Sequence, residues 1–240
     1  MSTLRHTLFS SNAFVKSGWR KVSLLIVLLC SLQALTQAQP HQVRTGVYLN
    51  NLYDLNMSAN SFYADFYIWF KWKGDFDPTN VEFVNSIEKW SVTNNGFDND
   101  STPVVLKDGY NYRIFRMEGR FLHSFALSNF PLDEHALDIQ IENPDADVDS
   151  LVYIPDTGTV AASIRPTLHL NAWQQRGCRL ESKEHDYGTN FGNPDENARK
   201  YSNLTFTVTL GRSFSFFMLK KLLPLFVVML MSIGALILHP

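Results

Sequence analysis

From Leu222 to Leu238 the chain reads LLPLFVVMLMSIGALIL, and FSFFML extends the apolar run upstream. Together they reach the ~20 residues that an α-helix needs to cross a hydrocarbon layer. A buried core helix is the alternative, and the absence of any charged residue after Lys221 speaks against it. Phe214, Phe216 and Phe217, followed by Lys220 and Lys221, are residue types that anchor a span at the membrane–water boundary. Pro224 removes one backbone hydrogen bond, which membrane helices tolerate when neighbouring helices compensate. The span therefore reads as one that packs against partners.

The other end of the chain reads as a leader. Arg5, Lys16, Arg20 and Lys21 precede an apolar run from Val22 to Leu32, and QALTQAQP follows. A basic region, a short hydrophobic stretch and small residues predict a secretory signal over residues 1–38, cut after Ala38 and too short to span a bilayer. Leu28 and Leu29 precede Cys30 where a lipoprotein site would need small residues, so export without a lipid anchor is expected. Export puts Lys220 and Lys221 on the outer side, against the positive-inside tendency, which a long translocated domain weakens. The net charge of -2 calls for no nucleic-acid partner. Residues 1–38 hold basic groups and no acidic ones, so the exported part is more acidic and leans toward neutral or cationic ligands. Cys178 is the one cysteine outside the leader, which excludes an intrachain disulfide and leaves stability to a packed core.

Between Pro40 and Arg212 the pattern has period two. Phe62, Ala64, Phe66, Ile68, Phe70 and Trp72 alternate with Tyr63, Asp65, Tyr67, Trp69 and Lys71. Val43, Val47 and Leu49 share a face upstream, and NMSANS supplies a turn between the two runs. Near the end, Leu204, Phe206, Val208 and Leu210 are expected inward, with Asn203, Thr205, Thr207 and Thr209 outward. Shorter runs at Tyr110–Met117, Arg120–Leu127 and Leu151–Ile154 complete a set of strands with no helix among them. The predicted fold class is all-β, an immunoglobulin-like β-sandwich over residues 39–212, followed by one transmembrane α-helix over residues 213–240. The last strand enters that helix through Gly211 and Arg212 with no linker, so a displacement of one can pass to the other.

One turn stands out within this pattern. In FPLDEHALDIQIEN, Phe130 to Asn143, Pro131 fixes its own φ and keeps Phe130 from helical dihedrals, which makes Phe130–Asp133 a turn or loop tip. Leu137, Ile139 and Ile141 then point one way, and Asp138, Gln140 and Glu142 the other. A leader, a β-domain, this Phe-Pro-Leu-Asp turn, a last strand ending in Arg212 and a membrane helix containing Pro224 together resemble the pentameric ligand-gated ion channels. That family is the Cys-loop receptor superfamily, here in its prokaryotic form. The resemblance covers roughly residues 43–240, and VEFVNSIE, Val81–Glu88, is similar to the family's first binding loop. His123 and Leu137 stand where animal members have the cysteines that close the turn. Family subunits carry four membrane helices and line the pore with the second. This resemblance implies that the chain belongs to a longer product, with a natural single-span ectodomain as the alternative.

The resemblance further implies a homopentamer in a cell membrane, the β-domain on the periplasmic or extracellular side. A small-molecule ligand would sit between subunits. Phe130, Pro131, Leu132 and Asp133 would press on the membrane domain, with Phe130 and Leu132 as the apolar tip and Asp133 paired to Arg212. Alternatively Asp133 caps its own turn. The polar segment Lys183–Asn203 matches the mobile hairpin over the ligand, with Tyr187 and Tyr201 offering aromatic faces to a cation. Asn85, Glu88 and Glu142 are candidates for a polar head group, and Tyr67 for the complementary face. Separately, Asp145, Asp147, Asp149 and Asp156 match the spacing of a calcium loop, but Ser150 replaces its glycine, and a solvated acidic loop is the other reading. No other cofactor is expected. The histidines form no HExxH pair and there is no GxSxG, so no enzyme is expected.

Overall fold

Strand β2, Ser61–Trp72, carries the alternation described above, and all six of its inward residues are at most 1% exposed. That face decides the register of its neighbours, since a one-residue slip would turn every aromatic ring outward. The structure, a computed structural model, describes residues 39–87, 93–94, 102–158, 160–170, 172–194 and 198–238. The leader 1–38 and the candidate Glu88 lie outside the described residues.

Strand β1, His41–Asn56, pairs antiparallel with β2, and two bulges bend it. Its turn to β2 is fixed by Asn56, whose side-chain oxygen accepts from the Ala59 N–H, and by Asn60 at φ 50°. After the two-residue strands β3 (Glu82–Phe83), β4 (Thr93–Asn94) and β5 (Val104–Val105) comes β6, Asn111–Leu122. The runs read separately as Tyr110–Met117 and Arg120–Leu127 are largely this single strand, because Gly119 stays in the ladder opposite Ala64. Strands β7 (Glu134–Glu142), β8 (Leu151–Pro155), β9 (Ala162–Ile164), β10 (Trp173–Asp186) and β11 (Lys200–Arg212) complete the set.

Two sheets result. One has the order β4-β6-β2-β1-β8, with β5 on β6 and β9 on β1; the other has the order β10-β11-β7-β3. Phe66, Phe70 and Phe121 of the first and Phe83, Ile139, Ile141, Phe206 and Val208 of the second belong to one hydrophobic core. The Phe66 and Phe83 rings meet edge to face at 5.7 Å across it. The chain is thus mostly β-structure with one apolar helix at its C-terminal end.

The alternation holds on the four-stranded sheet, but its outer face is more covered than alternation alone suggests. Asn203 and Thr207, expected outward, are 7% and 2% exposed. Both are covered while bonded to polar partners on β7: Thr207 Oγ1 donates to Asp138 Oδ1 at 2.7 Å and Asn203 Nδ2 to Glu142 Oε1 at 2.8 Å. Buried polar atoms without such partners would cost stability.

Only Ser213 separates β11 from the helix Phe214–Phe217, a π turn Met218–Leu222 and the helix Leu223–Leu238. Pro224 explains the wide turn. It has no N–H for the Lys220 carbonyl, and its ring crowds that carbonyl, so the turn before it opens and Leu223 N–H donates to Met218 O. Phe214–Ile237 is long and apolar enough to cross a membrane.

Candidate functional site

The Phe130–Asp133 turn lies at the join between β11 and the helix. Leu127 and Asn129 carbonyls accept from Phe130 and Leu132 N–H, the Phe130–Pro131 peptide is cis, and Leu132 is 68% exposed. Asp133, at the entry to β7, is 2% exposed. Arg212 grips it with a two-pronged fork, Nε to Oδ1 at 2.6 Å and Nη2 to Oδ2 at 2.8 Å. Its backbone N–H also donates to the Asp133 carbonyl at 3.0 Å. The hydrogen bonds from Arg212, helped by His135 Nε2 at 2.9 Å, hold the Asp133 carboxyl down at about 2 despite its burial.

Rings surround this ion pair. The Arg212 guanidinium lies 4.2 Å from the Trp173 ring centre and 5.0 Å from that of Phe130. Phe130 meets Phe217 of the first helical turn edge to face at 5.3 Å. Met57, in the β1–β2 turn, accepts from Arg212 Nη2 through its sulfur at 3.6 Å. The backbone between strand and helix is tied as well, with Ser213 N–H donating to Ala172 O at 2.9 Å. One arginine thus ties together the Phe130–Asp133 turn, the β1–β2 turn and the start of β10 at the point where the chain enters the apolar helix. Behind it His123, Phe125 and His135 meet edge to face, and burial followed by the neighbouring His135 pushes the His123 ring below its ordinary value.

A second cluster forms at the opposite end of β10. Glu142, 4% exposed, sits within hydrogen-bond reach of three groups: His185 Nδ1 at 2.6 Å, Tyr187 OH at 3.0 Å and Asn203 Nδ2 at 2.8 Å. The sequence pattern places Glu142 outward; the structure buries it because β10 and β11 bring donors over it. The Tyr187 ring lies 4.2 Å from His185, 5.3 Å from Phe191 and 5.7 Å from Tyr201. Burial, then the bond to Glu142, pushes the Tyr187 hydroxyl up to about 12. His185, Asn203 and Phe191 carry no motif of their own, and only pairing across β10, β11 and β7 reveals them. Tyr201 also lines a cavity of about 690 Å³ shared with Asp147, Asp149, Glu184, Arg199 and Lys200.

The hairpin between Asp186 and Lys200 is set by side-chain turns. Asp186 Oδ1 accepts from Gly188 N–H at 2.7 Å and Asn190 Oδ1 from Gly192 N–H at 3.1 Å. Phe191 takes φ 54° and is 60% exposed at its tip.

The other sequence candidates are placed differently. Asn85 is a backbone clamp, donating to Asp138 O at 2.7 Å and accepting from Gln140 N–H at 3.0 Å. Tyr67 lies on the outer face of the seven-stranded sheet beneath Arg116, in another part of the fold from Tyr187. The calcium-loop spacing does not become a cation cluster. Asp156 is buried against Lys71 and Trp69, Asp145 accepts from Asn80, and Asp147 caps Ser150. Among the described residues no three His, Cys, Asp or Glu side chains converge as metal ligands.

No family model and no curated protein matches the chain.

Proposed function

We propose that the chain is a subunit of a ligand-gated ion channel, with an immunoglobulin-like ectodomain exported to the periplasmic side of a bacterial inner membrane and a homopentameric assembly. The observation that carries this is the Asp133–Arg212 fork, with Phe130 seated on Phe217, at a strand-to-helix join that has a single intervening residue.

The two clusters are linked by one strand. β10 has Trp173, stacked on Arg212, at one end and His185, reaching Glu142, near the other. It spans roughly 45 Å at about 3.3 Å per residue. A small ligand with a cationic group, held by the Tyr187 and Tyr201 rings between subunits, would favour one position of the hairpin. A shift of β10 against β11 then changes the seating of Trp173 on Arg212, and so the balance between two arrangements of the helix. Differential affinity for those arrangements is what drives gating. Glu142 belongs to this device as the anchor of the hairpin, because its oxygens already accept from the protein's own donors.

A single-span ligand-binding receptor without a pore is the second reading, in which Phe214–Ile237 serves as the membrane anchor of the β-domain. Three further apolar spans encoded beyond Pro240 would exclude it. The channel reading is tested on the complete gene product by planar-bilayer recording with primary amines applied on the ectodomain side. Amine-evoked, saturable current that Arg212→Ala abolishes, with amine affinity of the ectodomain unchanged, supports it. Equal loss of that affinity, or a silent protein that stays monomeric, refutes it.

A further inference from the structure

Beside the fork is a cavity of about 180 Å³ whose wall includes Glu134, Gln174, Arg176, Gly211, Phe214 and Ser215. Asp133 and Arg212 also border it, but each neutralises the other. Arg176 is the extra residue of a β-bulge: Gln175 pairs with Leu210 and Gly177 with Thr209, which leaves Arg176 out of the ladder. Bulges re-aim side chains, and here the guanidinium lies back across Gly211. A Cβ on Gly211 would stand 2.8 Å from Arg176 Nε and 3.4 Å from Nη2, so a glycine is needed beneath it. Gly211 in turn pairs with Glu134 on the neighbouring strand. The side chains of Arg176 and Glu134 have neither a hydrogen bond nor an ion pair among the described residues. One unpaired cation and one unpaired anion therefore line the same small cavity. Leu132 and Phe214, 68% and 49% exposed, flank it at the start of the apolar span.

We propose that this cavity holds the headgroup of a zwitterionic phospholipid bearing a primary amine, its phosphate on Arg176 and its ammonium on Glu134. The proposal rests on the reading of Phe214–Ile237 as a bilayer span, and not on channel gating. Charge complementarity selects the occupant. A headgroup with net negative charge would meet the Glu134 carboxylate as well as Arg176. A quaternary ammonium has no N–H to donate to Glu134 and is bulkier. A free headgroup would leave Leu132 and Phe214 in water, whereas a lipid covers them with its glycerol and upper acyl chain.

The test is lipid retention by the full chain, measured by native mass spectrometry after equilibration with equimolar phosphatidylethanolamine, phosphatidylcholine and phosphatidylglycerol. Wild type is expected to retain the ethanolamine lipid about threefold or more over each competitor, a scale set by partly exposed charge pairs. Arg176→Gln should reduce that lipid to the level of phosphatidylcholine, and Glu134→Gln should move the preference toward phosphatidylglycerol. Soluble glycerophosphoethanolamine should leave retention unchanged; displacement by it would overturn the choice of a lipid. Equal retention of the three lipids by wild type, or an unchanged preference in both variants, overturns the site. Flotation with liposomes separates the two failures. A chain that floats without headgroup preference refutes this cavity alone, and a chain that fails to float refutes the span on which it rests.

Discussion

Replacing Asp133 by Asn keeps the shape of the side chain but removes a charge that is only 1% exposed, while Arg212, 10% exposed, stays in place. The amide presents one acceptor oxygen where the carboxylate presents two, so one prong of the fork is lost. Breaking a buried ion pair on one side costs about 3–5 kcal/mol. Trp173 and Phe130 still face the guanidinium, which places the cost at the lower end. The carboxyl gives an independent scale. Held at about 2 against an ordinary 3.8, it contributes roughly 2 kcal/mol at neutral pH. A loss of about 2–3 kcal/mol in a domain of this size lowers Tm by roughly 5–10 °C. Thermal unfolding followed by tryptophan fluorescence measures it, with Trp173 as a local reporter. The pH dependence supplies a second readout. Because the folded carboxyl titrates below the unfolded one, its contribution is complete above pH 4 and is lost as pH falls toward 2. Asp133→Asn should therefore flatten the stability curve in that window. A Tm within about 1 °C of wild type, or a coupling energy with Arg212→Gln below about 0.5 kcal/mol in a double-mutant cycle, would refute the reasoning.

Three further outcomes are expected. Glu142→Gln should loosen the Asp186–Lys200 hairpin, seen as faster amide exchange there, and return the Tyr187 hydroxyl from about 12 toward 10 in an ultraviolet titration. Since that hydroxyl titrates higher when folded, its contribution to stability is complete below pH 10 and disappears as pH rises toward 12; no change in its titration would show that Glu142 is not its partner. Gly46→Ala would place a Cβ 2.0 Å from the Trp69 ring, which is itself bonded to Asp156, and should cost about 1–3 kcal/mol in denaturant unfolding. Gly211→Ala displaces a flexible, exposed arginine and should change stability by less than about 1 kcal/mol while reproducing the lipid preference of Arg176→Gln.

The sequence by itself determined the parts that depend on local pattern. Period two in Ser61–Trp72 and Glu134–Glu142 settled which residues face the core, because a strand alternates whatever lies beside it. Composition alone marked the apolar span. Pro131 compelled a turn, and Tyr187 and Tyr201 could be singled out as aromatics on a polar hairpin. Tertiary structure decided everything that depends on which strands are neighbours. Glu142 reads as a solvated residue until β11 and β10 bring Asn203 and His185 onto it; Asn85 reads as a ligand contact until β7 claims both ends of its amide. The bulge that lays Arg176 over Gly211 leaves no mark in the residue pattern, since it arises from a register shift between two strands. Alternation is a property of one chain segment, whereas the pairing of charges is a property of contacts formed between distant segments. The order of residues therefore announced the elements, and their packing assigned the chemistry.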